Sequence, residues 1–359
     1  MRSMTFTPPI PTICREGDGV VILDQTLLPY RSRTVCLNSL DDVARAIRTM
    51  QVRGAPLIGA TAAFGVAIAL RDDAGDARLA HVLRVLAATR PTAVNLHWAL
   101  ERMRARLQPL VDSSRHEAAW AEAEAIRSGD FETCTAIGHH GVELLQRIAG
   151  QRDGPVRVMT HCNAGALATL GPGTALAPIY EAHARGVPVH VLVSETRPRN
   201  QGLLTAWELR EAGVAHSLIT DNAAGILLAR GDVDIVITGA DRVAANGDSA
   251  NKVGTYLKAL AAHDNGVPFY IAAPFSTVDF DCPDGARIPI EDRGPEEVCV
   301  IRGESESGEI VAVRLAPEGT SAPNPAFDVT PARLITGIIT ECGICPPGGL
   351  HTLCETSTP

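Results

Sequence analysis

The sequence predicts an α/β protein in which a helical N-terminal domain precedes a Rossmann-like domain with a mostly parallel sheet. After residue 151, short β-branched runs alternate with helical segments, which is typical of β-α units. The first half instead shows helical spacing of Leu, Val, Ala and Ile without strand alternation. A chain of 359 residues also exceeds the comfortable size of one core. We therefore predict domains at 1–150 and 151–345 and a flexible tail at 346–359.

The N-terminal domain is predicted to start with a short strand and to continue as helices. Val20–Leu23 has strand character, and Ser39 with Asp42 resembles a capping box that opens a helix at Leu40–Met50. Residues 57–70 are small and apolar on nearly every face, which indicates a buried helix. Further helices are predicted at 78–88, 92–108, 115–128 and 131–149.

The second domain is predicted from five β-branched runs, which are Val156–Thr160, Val187–Ser194, Val214–Thr220, Val233–Thr238 and Val267–Ala272. Helical patterns lie between them around 202–212, 222–230 and 252–264. Right-handed crossovers of this kind build a parallel sheet. Ligands bind at the carboxyl ends of the strands in such a sheet.

Composition excludes several classes of protein. The net charge is −9 and the basic residues are scattered, so we expect no nucleic-acid partner. No apolar run approaches the roughly 20 residues that span a bilayer, and the N-terminus lacks a signal-peptide pattern. We expect a cytoplasmic protein without membrane contact. The nine cysteines are an odd number, which argues against a disulfide framework.

Polar side chains follow four successive predicted strands. A purely structural sheet would more often end in simple turn residues, so this edge is predicted to carry an active site. The residues are His161, Cys162 and Asn163; Glu195, Thr196, Arg197 and Gln201; Asp221 and Asn222; and Gly239, Ala240 and Asp241.

Cys162 is the candidate nucleophile or base. It lies between a strand and a predicted helix, where backbone N–H groups and the helix dipole would lower its pKa. The alternative, from position alone, is a buried apolar cysteine. The neighbouring His161 is interpreted as a structural hydrogen-bonding residue.

Asp241 is the candidate acid. It follows Ile235-Val236-Ile237, and an apolar, closed pocket would raise its pKa enough to keep it protonated near neutrality. The alternatives are a helix cap or an ion pair with Arg242.

Three basic segments are candidates for phosphate binding: Arg53-Gly54-Ala55, Arg90 and Asn251-Lys252. An arginine beside a glycine lets the guanidinium and the backbone approach one anion together. The alternative for each is an ordinary solvated charge.

No cofactor or metal is predicted. Gly171-Pro172-Gly173-Thr174 lacks the third glycine of a dinucleotide fingerprint and does not directly follow a strand. Cys342, Cys345, His351 and Cys354 have the right donor atoms for zinc, but structural zinc sites usually separate their ligand pairs by a longer knuckle.

Short motifs follow one another along nearly the whole chain: Leu23-Asp24-Gln25, Val52–Pro56, Arg90–Leu96, Thr160–Gly165, Glu195–Pro198 with Gln201-Gly202, Thr238–Arg242, Asn246–Asp248, Asn251–Thr255 and Asn324–Pro331. In this order and number they resemble the methylthioribose-1-phosphate isomerase family. The wider family includes ribose-1,5-bisphosphate isomerases and the non-catalytic regulatory subunits of the eukaryotic translation-initiation exchange factor.

The resemblance implies a catalytic pair and a set of substrate contacts. The pair falls on Cys162 and Asp241. The substrate contacts fall on Arg53, Gly54, Ala55, Arg90, Gln201, Asn251 and Lys252. It also implies a helical domain on a Rossmann-like domain, a sugar-phosphate substrate and a homodimer.

The implied activity is aldose–ketose isomerisation of 5-methylthioribose 1-phosphate to 5-methylthioribulose 1-phosphate, a step of methionine salvage. Asp241 would protonate the ring oxygen, and Cys162 would carry a proton from C2 to C1. A hydride shift is the open alternative for the hydrogen transfer.

Three other functions are alternatives to this one. Sibling isomerases would act on 5-deoxyribose 1-phosphate or ribose 1,5-bisphosphate, which differ at C5. The presence of both Cys162 and Asp241 speaks against a non-catalytic regulatory subunit. The missing fingerprint speaks against a nicotinamide-dependent dehydrogenase.

Overall fold

A computed structural model describes residues 11–90 and 93–355, without the side chains of Cys354 and Glu355. Contacts divide the described chain into an N-terminal unit, residues 11–135 with 164–173, and a C-terminal unit, residues 136–163 with 174–355. This division differs from the predicted boundary at residue 150. The turn-rich stretch near that position ends a long helix, whereas the change of unit falls inside the helix.

The N-terminal unit begins with a three-stranded antiparallel sheet, followed by helices that contain most of its core. The strands are β1 (Ile13–Glu16), β2 (Gly19–Leu23) and β3 (Thr34–Leu37). The helices are α1 (Leu40–Arg48), α2 (Ala55–Ala69), α3 (Asp76–Ala87), α4 (Val94–Leu107) and α5 (Asp112–Ala149), the last of which continues into the C-terminal unit.

Local sequence explains most of these helices. The predicted capping interaction is present, since the Ser39 hydroxyl accepts a hydrogen bond from the Asp42 amide at 3.2 Å. Helix α2 is buried from Leu57 to Ala69, as its small apolar residues predicted. The sequence predicted two helices, at 115–128 and 131–149. The structure has one continuous helix there, α5, so the predicted break is wrong. Gly129 lies between the two predicted helices, and one interior glycine costs a helix only about 1 kcal/mol and does not end it. The predicted start of α4 at residue 92 lies outside the described residues.

The C-terminal unit alternates strands and helices. Its elements are β4 (Val156–Thr160), α6 (Ala177–Ala184), β5 (Val189–Ser194), α7 (Gly202–Glu211), β6 (His216–Ile219), α8 (Ala224–Ala229), β7 (Ile235–Thr238), β8 (Arg242–Ala244), β9 (Ser249–Lys252), α9 (Thr255–Asp264), β10 (Phe269–Ala272), β11 (Val278–Asp279), α10 (Glu296–Cys299), β12 (Val300–Glu304), β13 (Ile310–Arg314), β14 (Phe327–Thr330), β15 (Gly337–Thr340), β16 (Gly343–Cys345) and α11 (Leu350–Glu355).

The main sheet has seven strands in the order β16-β15-β10-β7-β4-β5-β6. All neighbours are parallel except β15 and β16. The five predicted strands are all members of this sheet, and the α/β fold class is confirmed. A second sheet, in the order β11-β8-β9-β14, was not predicted. Its strand β9 carries Asn251 and Lys252, two of the predicted substrate contacts.

The predicted tail is ordered where the structure describes it. Helix α11 packs Leu350 fully into the core beside Leu334 and Ile338. The ring of His351 lies 4.5 Å from that of Phe280. The Pro and Gly residues predicted flexibility, but the segment packs against the core through Leu350 and Leu353.

We predict that Leu350→Ala lowers the free energy of unfolding by about 2–5 kcal/mol, because it leaves a cavity in the core. Urea denaturation followed by circular dichroism measures this. Leu257→Ala is the matched control, since Leu257 on α9 is 67% exposed. Equal stability of the two variants would mean that α11 is not docked.

Candidate active site

The parallel strands β7, β4, β5 and β6 bring the predicted polar residues to one edge of the sheet. Hydrogen bonds join residues from three of these strand ends. The Cys162 amide donates to Thr196 Oγ1 at 2.8 Å, and the Thr196 amide donates to Asp221 Oδ1 at 2.9 Å. The prediction that the strand-end segments lie together is therefore correct for these three residues.

Cys162 has an unusual backbone conformation. Its φ is +66°, and its carbonyl accepts a hydrogen bond from the Thr205 hydroxyl at 2.8 Å. Non-glycine residues rarely adopt positive φ and cost of order 1–3 kcal/mol there, so they concentrate at functional sites. The helix predicted to follow is absent, because only a three-residue 3₁₀ turn forms, at Ala166–Ala168. The dipole of a following helix, which the sequence predicted, therefore does not act on the thiol.

His161 is a buried structural residue, as interpreted from the sequence. Its Nε2 lies 2.9 Å from the Val253 carbonyl oxygen, to which the neutral ring donates. Burial, and next the charge of Lys258, lower the pKa of His161 to about 3. The ring is thus neutral at physiological pH.

Asp241 lies just before β8, and its amide donates to the Ala250 carbonyl at 2.9 Å. Its side chain is exposed, so the closed apolar pocket expected around it is not present in this structure. Arg242, the predicted alternative partner of Asp241, lies 3.4 Å from Asp279.

Lys252 connects the two candidate catalytic groups electrostatically. The side chain is buried, and its Nζ donates to the Ala326 carbonyl at 2.8 Å and lies 4.6 Å from the centre of the Phe327 ring. Burial lowers the pKa of Lys252, whereas negative charge on Cys162 and on Asp241 raises it. Lys252 therefore lies within electrostatic reach of both the thiol and the carboxyl group.

Gln201 and Asn251 are the other predicted substrate contacts in the C-terminal unit. Both are buried. Gln201 Oε1 has no hydrogen-bond partner within the described part of the protein. A buried acceptor of this kind suits a substrate hydroxyl. Asn251 donates to the Thr255 hydroxyl at 3.0 Å, which fixes its side chain.

Two arginines near Lys252 were not singled out from the sequence. Burial lowers the pKa of Arg199, and Glu297, which Arg199 contacts at 3.0 Å, opposes this effect. Arg293 has a side chain only 10% exposed and lies 5.5 Å from the centre of the Phe327 ring. Arg199 lies between the motifs Glu195–Pro198 and Gln201-Gly202, so its position in the sequence indicated the site. No motif contains Arg293.

Arg53, Gly54 and Ala55 lie in the N-terminal unit, at the start of α2. Arg53 Nε donates to Gln25 Oε1 at 3.0 Å. Gly54 has φ +88°, and a Cβ there would lie 2.2 Å from the Ala168 carbonyl oxygen, so no other residue fits. No side chain caps this helix, which leaves its first amides for an anion. Arg90 is half-buried before α4, and its motif partners Pro91 and Thr92 lie outside the described residues.

Within residues 11–90 and 93–355, no three His, Cys, Asp or Glu side chains are arranged to hold a metal ion. The side chain of Cys354 is not among the described parts of the structure. The segment Gly171–Thr174 forms a packed turn, because a Cβ on Gly173 would lie 2.4 Å from the backbone of Gly165.

The described helices include none that is both long and apolar enough to cross a bilayer.

Comparison with known proteins defines the class. The model of the initiation factor 2 subunit family matches residues 51–347, and the chain belongs to this family. It is 60% identical over 328 residues to a methylthioribose-1-phosphate isomerase from Dechloromonas aromatica, with 91% of each chain covered. A second enzyme of that name, from Methylorubrum extorquens, is 57% identical over 332 residues, with 92% of this chain and 91% of that one covered.

Solved structures agree with this placement. The 5-methylthioribose 1-phosphate isomerase of Pyrococcus horikoshii superposes with a TM-score of 0.87 at 38% identity, covering 99% of this chain and 100% of that one. The translation initiation factor eIF-2B, subunit delta, from A. fulgidus gives 0.83 at 35% identity, with 96% and 99% covered.

We predict that His161 makes stability depend on pH. The pKa of His161 is 6.5 in the unfolded chain and about 3 in the folded chain. The contribution of the neutral ring to stability is therefore complete above pH 6.5 and is lost as the pH falls from 6.5 towards 3. His161→Gln should make the free energy of unfolding less steep with pH, as measured by urea denaturation at several pH values. The exposed His263→Gln is the control, and equal slopes in both variants would contradict the assignment.

Proposed function

We propose that this chain is an isomerase that converts 5-methylthioribose 1-phosphate to 5-methylthioribulose 1-phosphate, a step of methionine salvage. The observation that carries the proposal is that Cys162 and Asp241 follow the carboxyl ends of β4 and β7, which are neighbouring parallel strands of one sheet. Relatives up to 60% identical bear the name of this enzyme. The retained thiol and carboxyl group favour the enzyme over the regulatory subunits of the family.

The first chemical step opens the ring. A sugar 1-phosphate has its anomeric oxygen locked in an ester, so the bond that must break is the one between C1 and the ring oxygen. Asp241, in its protonated form, gives its proton to that oxygen as the bond breaks. Asp241 is exposed, so a sugar that covers it would remove water from the carboxyl group, and loss of water favours the protonated form.

The second step moves hydrogen from C2 to C1. The Cys162 thiolate removes the C2 proton, which forms an enol between C1 and C2, and the thiol then returns the proton to C1. Asp241, now ionised, recovers its proton from the C2 hydroxyl as the ketone forms. Lys252 and Arg199 lie within electrostatic reach of Cys162, and nearby positive charge favours a thiolate. This environment favours proton transfer over the hydride shift.

The remaining predicted contacts bind and orient the sugar phosphate. We assign an anionic group of the substrate to Lys252, and Arg53, Gly54, Ala55 and Arg90 stay predicted substrate contacts. Gln201 and Asn251 are assigned to the hydroxyls. Orientation of C1 and C2 by such contacts contributes to catalysis without any further reactive group.

A homodimer, a cytoplasmic location and the absence of nucleic-acid partners follow from the resemblance and the composition, and they stay predictions. Light scattering of the purified protein tests the first of them.

We predict that Cys162→Ala and Asp241→Asn each lower kcat by at least about 10³-fold, because each removes a proton-transfer group. Conversion of 5-methylthioribose 1-phosphate to the ketose is the assay. Cys36→Ala and Asp281→Asn, which change exposed residues, are the matched controls. Near-normal turnover by either site variant would end the assignment.

Substrate choice is tested in the same assay with 5-deoxyribose 1-phosphate and ribose 1,5-bisphosphate in parallel. We expect the methylthio sugar to have the highest kcat/KM. A clearly higher kcat/KM for ribose 1,5-bisphosphate would indicate the sibling isomerase instead.

We further predict that substrate deuterated at C2 loses part of its label to water during turnover, because a thiol exchanges its proton with solvent. Mass spectrometry of the product measures the retained label. Complete retention at C1 would support the hydride shift and contradict the role of Cys162 as base.

A further inference from the structure

We propose that Asp221, with the buried Lys258 as its counter-ion, is a positioning residue that holds the backbone of Cys162 in its reactive conformation. This inference rests on the proposed function in one respect, that Cys162 acts in the reaction. Asp221 follows β6, and Lys258 lies on α9. Neither belongs to the predicted catalytic pair or to the substrate contacts that the family implies.

The Asp221 carboxylate organises the segment after β5. Oδ1 accepts hydrogen bonds from the Ser194 hydroxyl and from the Thr196 amide, the latter at 2.9 Å. Oδ2 accepts from the Arg197 amide at 2.7 Å. One carboxylate thus accepts hydrogen bonds from three positions along the turn, at 194, 196 and 197. A carboxylate satisfied in this way fixes the backbone that donates to it.

Thr196 transmits this constraint to Cys162. Its φ is +67°, a conformation that β-branched residues adopt only when their surroundings enforce it. Thr196 Oγ1 donates to the Ser194 carbonyl at 2.9 Å and accepts from the Cys162 amide at 2.8 Å. Cys162 itself has φ +66°. The Thr196 hydroxyl therefore links two residues that have positive φ, Thr196 and Cys162. Asp221 holds Thr196 through its backbone amide.

Lys258 keeps the carboxylate charged. Its side chain is 2% exposed, and its Nζ lies 3.7 Å from Asp221 Oδ1. His161 Nδ1 lies at the same distance from that oxygen. The ring is neutral, however, so the positive charge beside Asp221 comes from Lys258. Burial alone would raise the pKa of Asp221, but the Ser194 hydroxyl, Lys258 and the two amides together lower it.

The test compares Asp221→Asn with Asp234→Asn. Asp234 is a matched carboxylate at the opposite edge of the same sheet, just before β7. Its side chain is 16% exposed against 22% for Asp221. It too accepts from a backbone amide, that of Arg157 at 2.7 Å, and pairs with a basic side chain. Both variants lose a similar structural interaction, but only one lies on the path to Cys162.

Amide hydrogen exchange is the first readout, since it needs no substrate. In Asp221→Asn, the side-chain amide cannot accept from both backbone donors. We expect the Thr196, Arg197 and Cys162 amides to exchange at least about tenfold faster than in the unmodified protein. In Asp234→Asn, the Cys162 amide should keep its rate. An unchanged exchange rate of the Cys162 amide in Asp221→Asn would overturn the proposal, even if the protein fails to isomerise any sugar.

Kinetics are the second readout. Loss of positioning should lower kcat of Asp221→Asn at least about tenfold and change KM less than about threefold, at a temperature where both variants are folded. Asp234→Asn should keep its kcat within about twofold. Equal kcat losses in both variants would overturn the proposal in favour of a purely structural role.

Ser194→Ala removes a single hydrogen bond to Asp221 and is the variant to use if Asp221→Asn does not fold. We expect faster exchange of the Cys162 amide by about threefold or more in this variant. A rate equal to that of the unmodified protein would contradict the proposal.

Discussion

The site depends on the burial of one ammonium group, that of Lys252. A buried cation is costly unless negative or polar groups surround it. Lys252 has a carbonyl acceptor at Ala326 and the face of the Phe327 ring, and negative charge on Cys162 or Asp241 stabilises it further. The positive charge of Lys252 in turn stabilises negative charge on Cys162 or Asp241. In the proposed mechanism, a lysine held in this position favours a thiolate and binds an anionic substrate, so a single charge serves both acid–base chemistry and recognition.

Around this charge the backbone is held in conformations that the chain would not adopt by itself. Cys162, Thr196 and Asn200 all have positive φ, and all three lie on segments that follow strands of one sheet. Hydrogen bonds within the C-terminal unit compensate for these conformations. The rigid parallel sheet supplies the strand ends, and buried polar groups such as Asp221 fix the segments that leave it. Reactive geometry is thus produced by the scaffold and not by the reactive residues alone.

Much of this architecture could be predicted from local sequence. Runs of β-branched residues placed β4 at its observed bounds and the other four predicted strands close to theirs, and the polar residues after them marked the site. Strands such as β9, which reads Ser-Ala-Asn-Lys, have no apolar alternation and were not found. Their formation depends on pairing with β14, a partner distant in the sequence.

Long-range packing also explains the other differences. Residues 164–173 belong with the N-terminal unit through contacts such as that of Gly54 with Ala168, which no local pattern reveals. Leu350 docks a segment whose composition indicates a loop. The exposure of Asp241 depends on what covers it, which its neighbours in sequence do not determine. Burial and electrostatics are properties of the folded chain, so Arg293 could be recognised only after folding placed it beside Phe327.

The central claim is that the thiol of Cys162 and the carboxyl group of Asp241 act on the same sugar. The most direct measurement is a crystal structure of the Cys162→Ser variant with 5-methylthioribulose 1-phosphate bound. We expect the side-chain oxygen at position 162 to lie within about 4 Å of C1 or C2, and the Asp241 carboxyl group to contact the oxygen released from the ring. A bound sugar that touches only one of the two groups, with the other turned away from it, would contradict the mechanism.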